Sequence, residues 1–174
     1  LGVGWYQIQM QNARVVNKGS AGGSDSGMAI AGLNVGGSFS LINDEGEPVT
    51  EKTYEDSYKL VFFGFTFCPD ICPTELQKIT NVMNKLGDVA NNVQPIFITI
   101  DPMRDTPEVL NQYLDSFHPK IIGLTGTEPQ VDIAIKNYKV FATKVESEEL
   151  SDYTMDHSSF TYLMTPDNKL MTIY

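Results

Sequence analysis

Tyr58-Lys59-Leu60-Val61-Phe62-Phe63-Gly64-Phe65-Thr66-Phe67-Cys68-Pro69-Asp70-Ile71-Cys72-Pro73-Thr74-Glu75 is the stretch whose reading decides the fold. Its first half, from Tyr58 to Thr66, is nearly continuous apolar and aromatic sequence. That pattern fits a strand buried on both faces, as parallel sheets require. Its second half opens a helix. Leu76, Ile79, Val82, Met83 and Leu86 form one apolar stripe at helical spacing, and Gly87 suits the αL position that ends it. Pro73 suits the first helical position, which makes Cys72 the expected N-cap and places Glu75 where a carboxylate can reach back. The two cysteines thus sit between a buried strand and a helix N-terminus. The partial positive charge and free N–H groups there favour thiolate over thiol, so reactive or metal-binding cysteines are expected.

Outward from this stretch, strands and helices alternate. On the N-terminal side, Ser38 to Ile42 and Pro48 to Thr50 flank Asn43-Asp44-Glu45-Gly46, a strand–turn–strand pattern. On the C-terminal side, Val93 to Ile100 reads as a second buried strand. Thr106 and Pro107 supply the N-cap and first position of a helix reaching about Phe117. Ile121 to Thr125 reads as a short strand. Val131, Ile135, Tyr138 and Val140 mark a third helix after Glu128-Pro129. Ser159 to Met164 and Lys169 to Tyr174 form a closing hairpin around Pro166-Asp167-Asn168. The class is α/β: a mixed sheet flanked by helices, with an N-terminal β-hairpin extension. No internal repeat is evident.

The composition narrows the function. The 174 residues are 41% apolar, enough for a core in one domain plus an appendage. Twelve basic and 22 acidic residues give a net charge of −10, which argues against nucleic-acid binding. Residues 17–32 hold five Gly and three Ser, a flexible linker composition spanning roughly 22 Å r.m.s.. The chain opens at Leu1 rather than Met, with Trp5 and Tyr6 close behind, so residues 1–34 read as a membrane-proximal segment and linker after a removed anchor. Residues 35–174 read as the folded domain.

Cys68 and Cys72 are the only cysteines, spaced C-x-x-x-C. They cannot build a disulfide scaffold, and a bridge over so short a loop gains little. Iron–sulfur clusters and structural zinc need four ligands. Two thiolates plus one imidazole satisfy a low-coordinate Cu(I) ion. His118, before Pro119, reads as a surface or capping histidine. His157 is the candidate ligand. Redox exchange by the same cysteine pair remains the alternative.

Gly64 to Pro73, the Asp101-Pro102-Met103-Arg104-Asp105-Thr106-Pro107 loop and Asp156-His157-Ser158 together resemble the Sco/SenC family. The resemblance covers about Val35 to Tyr174, with the three motifs in the family's order. It implies a thioredoxin-like domain tethered by one N-terminal helix, in the bacterial periplasm or the mitochondrial intermembrane space. It implies a metallochaperone for the binuclear copper centre of cytochrome c oxidase subunit II, with that subunit or its copper-delivery chaperones as partners. Cys68, Cys72 and His157 are the implied ligands, for Cu(I) and for Cu(II). Some members also act as thiol-disulfide reductases, so an oxidoreductase or a redox sensor using Cys68 and Cys72 is the rival. In oxidoreductases of this fold a cis-proline faces the cysteines; here that segment reads Asp156-His157-Ser158-Ser159, which favours metal. Family members usually continue into a final helix, whereas the sequence read here ends at Tyr174, in what reads as a strand.

The neighbours of these residues carry two readings each. Asp156 and Asp132 are candidates for tuning the metal site or for plain solvated charge. Met155 reads as packing rather than as a thioether ligand. Tyr153 and Phe67 flank the ligands and read as shields or as aromatic packing. Asp101, Arg104 and Asp105 are poised between partner docking and an internal ion pair that shapes their loop. Glu146, Glu148, Glu149 and Asp152 read as a solvated acidic loop.

Overall fold

The computed structural model describes residues 34–146 and 153–174. The expected linker therefore lies, Asn34 apart, outside the described residues, as do Glu148, Glu149 and Asp152.

The strands are β1 (Ser40–Asn43), β2 (Pro48–Thr50), β3 (Tyr58–Gly64), β4 (Val93–Thr99), β5 (Ile122–Thr125), β6 (Ala142–Glu146), β7 (Tyr153–His157), β8 (Thr161–Met164) and β9 (Leu170–Ile173). The helices are α1 (Ile71–Leu86), α2 (Pro107–Leu114) and α3 (Glu128–Tyr138). Seven strands form one mixed sheet in the order β2-β1-β5-β4-β3-β8-β9. β3 pairs in parallel with β4, and β4 with β5; the two hairpins add antiparallel strands at the edges. The α/β class and the N-terminal hairpin match the sequence reading.

The centre of the sheet is β3 and β4, and its composition explains why. After exposed Tyr58, every residue of β3 is buried; Phe62, Phe63 and Phe97 have no exposed surface. Each such side chain contributes about 1.5–3 kcal/mol by leaving water. The first hairpin turns where Asn43 Oδ1 accepts the N–H groups of Glu45 and Glu47, and Gly46 takes φ 87°. Thr106 caps α2 by accepting from the Val109 N–H, with Pro107 at the helix start.

Four features differ from the sequence reading. α1 starts at Ile71 with Asp70 as N-cap, not at Pro73 with Cys72 as N-cap. Pro73 still lies within the first turn, where its missing N–H costs nothing. Glu75 pairs with Lys78 at 2.6 Å instead of reaching back to the cap. Gly87 ends α1 at φ 54° and ψ −128°, outside the αL region, and Lys139 takes αL at the end of α3. Finally, β6 and β7 pair antiparallel in a separate two-stranded sheet, with Ala142 opposite His157 and Glu146 opposite Tyr153. The charges of Lys144 and Glu146 hide this arm in the sequence, because β6 is mostly exposed and the half-buried β7 shows no clean alternation.

Candidate metal centre

Three elements converge at the C-terminal end of β3. The loop after β3 carries Cys68, the first turn of α1 carries Cys72, and the end of β7 carries His157. Their candidate ligand atoms all lie within 4.8 Å of one another.

Each residue has a distinct local reason for its position. Cys72 belongs to the buried face of α1, with Leu76, Ile79 and Met83, and has no exposed surface. Cys68 is half-buried, and its sulfur accepts the Cys72 backbone N–H at 3.3 Å. A sulfur thus occupies the place of the side-chain cap that Asp70 does not supply. His157 is positioned through its ring nitrogens. Nδ1 lies 3.0 Å from the Ser158 carbonyl oxygen. A carbonyl only accepts, so Nδ1 is the donor in this contact, which leaves Nε2 as the nitrogen turned toward the cysteines. That Nε2 faces the Cys72 sulfur at 3.7 Å. The Phe65 ring meets the imidazole edge-on, with centroids 5.8 Å apart.

The electrostatics correct one expectation. From sequence, the helix N-terminus favours a thiolate at both cysteines. Burial instead dominates at Cys72 and pushes its thiol well above the ordinary range, a hydrogen bond with the Phe65 backbone working against it. Both cysteines are free. Two soft sulfur donors and one oriented imidazole nitrogen, converging from three elements, fit a copper ion of low coordination.

The remaining residues fall into two groups. Asp101, Arg104 and Asp105 form internal contacts, so the ion-pair reading describes their geometry. Arg104 Nε pairs with Asp101 Oδ2, and Asp101 is 4% exposed. Asp105, fully buried, accepts from the Thr66 N–H (3.1 Å), the Thr66 hydroxyl (2.6 Å) and the Thr99 hydroxyl (2.6 Å). Burial raises its carboxyl above the usual range, and these donors work against that shift. Asp105 thereby holds the residue two before Cys68. Tyr153 and Phe67 both contact Arg104, not only the ligands' surroundings. By contrast, Asp132, Asp156 and Glu146 are exposed, and Met155 is a half-buried packing residue. His118 is in the turn before β5, where its Nδ1 accepts the Lys120 N–H, away from the cysteines in the fold.

Sequence reasoning missed the role of Gly64. A Cβ there would stand 2.8 Å from Cys72 Sγ and 2.8 Å from Phe97 Cε2. Only a glycine lets the sulfur rest against the end of β3.

Comparison with known proteins gives the family and the fold. The SCO1/SenC family model matches residues 28–174. The SCO2-like protein RP587 of Rickettsia prowazekii is 46% identical over 140 residues, 80% of this chain and 68% of the relative. The mitochondrial protein SCO2 of Saccharomyces cerevisiae is 43% identical over 150 residues, 85% of this chain but 50% of the relative. The chain thus spans about half to two thirds of these relatives' lengths. The crystal structure of Arabidopsis thaliana ScoI with copper bound is 43% identical, with TM-score 0.76, covering 80% of this chain and 87% of that one.

Proposed function

The chain belongs to the SCO1/SenC family, and from that premise we propose that it is a copper chaperone for cytochrome c oxidase assembly. It takes up one copper ion on Cys68, Cys72 and His157 and passes it to the binuclear copper centre of subunit II, directly or through another copper-delivery chaperone. Copper is the cargo, so no bond-making chemistry on a small substrate is required. The observation that carries this reading is the convergence of the two sulfurs and one imidazole nitrogen of His157 within 4.8 Å. Thiolates hold Cu(I) as soft donors, and the imidazole completes a set open enough for ligand exchange with cysteines of the acceptor. The copper-bound ScoI structure supports the same cargo.

The domain is held near a membrane by the segment before residue 35, at the surface of the bacterial inner membrane facing the periplasm or, in mitochondria, facing the intermembrane space. The bacterial and mitochondrial relatives support that pair of compartments. Among the described residues no helix is long and apolar enough to cross a membrane.

Anaerobic titration of the reduced protein with copper, against a competing Cu(I) chelator, tests the proposal. One tightly bound copper per chain is expected. His157→Ala lowers the affinity by about tenfold or more, since even residues that only orient ligands cost 10–100-fold. Weak, non-stoichiometric binding unaffected by that substitution would leave Cys68 and Cys72 as a redox pair.

A further inference from the structure

We infer that Arg104 is a positioning residue that locks the histidine-bearing arm against the cysteine-bearing loop and so sets the geometry of the copper site. The inference rests on the copper-chaperone reading above and adds to it the device that holds the site together.

The arm needs such a device. β6 and β7 form a two-stranded sheet that does not join the seven-stranded one. An isolated two-stranded hairpin is marginal in water. His157 is nevertheless the last residue of β7, and its Nε2 must face the Cys72 sulfur. At the base of the arm, the backbone of Phe141 bonds to Ser158: the Ser158 N–H donates to the Phe141 carbonyl at 3.0 Å, and the Phe141 N–H to the Ser158 hydroxyl at 3.2 Å. Those bonds fix the hinge but not the swing of the strand above it.

Arg104 fixes the swing. Its guanidinium carbon lies 3.8 Å from the Tyr153 ring centroid and 4.6 Å from the Phe67 ring centroid. Tyr153 begins β7, four residues before His157, and Phe67 immediately precedes Cys68. One planar cation therefore stacks on a ring from each ligand-bearing segment. Polar contacts tighten the same joint. Arg104 Nη1 donates to the Tyr153 carbonyl at 2.9 Å, and Tyr153 donates its hydroxyl to Asp101 Oδ1 at 2.6 Å. Asp101 Oδ2 accepts from Arg104 Nε, so one carboxylate orients both partners. The Arg104 side chain is only 14% exposed, where stacking on aromatic faces is stronger than at an open surface.

The clamp is tied to rigid structure beneath it. The Asp101 N–H donates to the Thr99 hydroxyl at 2.9 Å, and that hydroxyl donates to Asp105, which also holds Thr66. The Asp101–Asp105 loop thus grips the cysteine loop at Thr66 and Phe67 and the arm at Tyr153. Lysine at position 104 would keep the charge but lose the planar fork that stacks on two rings and donates sideways.

A double-mutant cycle on Cu(I) affinity tests this, using wild type, Arg104→Ala, His157→Ala and the double variant, each confirmed folded by circular dichroism. Arg104→Ala is expected to weaken Cu(I) binding by about tenfold, as for residues that orient metal ligands. In the His157→Ala background the same substitution is expected to change affinity by less than about twofold, because no imidazole remains to be positioned. Arg104→Lys is expected to fall with Arg104→Ala. Phe67→Leu, at a position 62% exposed and so without consequence for folding, is expected to show the same dependence on His157. An unchanged affinity in Arg104→Ala, or an equal loss with and without His157, would overturn the clamp while leaving the copper site standing. Failure of the wild type itself to bind copper would overturn the underlying reading instead.

Discussion

Replacing Gly64 by alanine tests how tightly the sheet and the cysteines are built together. The added methyl group would stand 2.8 Å from Cys72 Sγ, 2.8 Å from Phe97 Cε2 and 3.2 Å from Phe62 Cε1. Ordinary contact begins at 3.4 Å, so Sγ and Cε2 must each retreat by 3.4 − 2.8 = 0.6 Å. Neither has room, because Cys72, Phe97 and Phe62 have no exposed surface. The backbone cannot yield easily either, since the Gly64 carbonyl accepts the Ile100 N–H at 2.9 Å and the residue is paired with Thr99. Overpacking of this kind costs about 1–3 kcal/mol. At about 2 kcal/mol per molar of urea, the unfolding midpoint of the reduced protein falls by roughly 0.5–1.5 M. A sulfur displaced by that distance also exceeds the ~0.5 Å tolerance of a functional site, so Cu(I) affinity falls by about tenfold. Equilibrium urea unfolding and a chelator competition measure the two effects on one sample. A Gly64→Ala protein with both the midpoint and the affinity unchanged would refute the argument that Gly64 is required by the close approach of Cys72.

Three other perturbations have expected outcomes. Burial holds the Cys72 thiol above its ordinary range. The unfolded chain therefore loses this proton first as pH rises, so the stability of the reduced protein falls above about pH 9, by up to ~1.4 kcal/mol per pH unit. Copper must displace the same proton, so apparent Cu(I) affinity climbs by about tenfold per pH unit for that site, which titrations at stepped pH measure. Asp105→Ala strips the acceptor from the Thr66 N–H and two threonine hydroxyls. It is expected to cost about 2–4 kcal/mol in urea unfolding and to weaken copper binding. Lys59 is buried in β3, where its Nζ donates to the Pro166 carbonyl and Asn168 Oδ1, both at 2.8 Å. Lys59→Met is expected to cost about 1–3 kcal/mol in thermal or urea unfolding while leaving copper affinity unchanged, since the lost bonds hold the β8–β9 turn and not the site.

The legible part of this fold follows the strength of each local signal. β3 and β4 are runs of large apolar residues that only a doubly covered strand accommodates. Thr106-Pro107 and Glu128-Pro129 mark helix starts through the fixed φ of proline. The start of α1 was harder, because Ile71 and Cys72 precede Pro73 and the spacing from Cys72 to Leu76 to Ile79 was not extended backwards. Extended so, it places Cys72 on the buried stripe, where burial pushes the thiol above its ordinary range. The arm formed by β6 and β7 was not legible, since exposed β6 and half-buried β7 gain their order from contacts made at its base and at Tyr153. The three candidate ligands were identifiable from residue type and motif order. What joins them was not: Arg104 stacks on Phe67 and Tyr153, which are 37 and 49 residues away in sequence, and no local pattern encodes such a contact.

X-ray absorption spectroscopy of the Cu(I)-loaded protein and its His157→Ala variant tests the central claim most directly. Two sulfur scatterers and one imidazole per copper are expected in the wild type, with the imidazole signal lost in the variant and both sulfurs retained. An imidazole signal that survives the substitution, or fewer than two sulfurs in the wild type, would contradict the assignment of Cys68, Cys72 and His157 as the copper site.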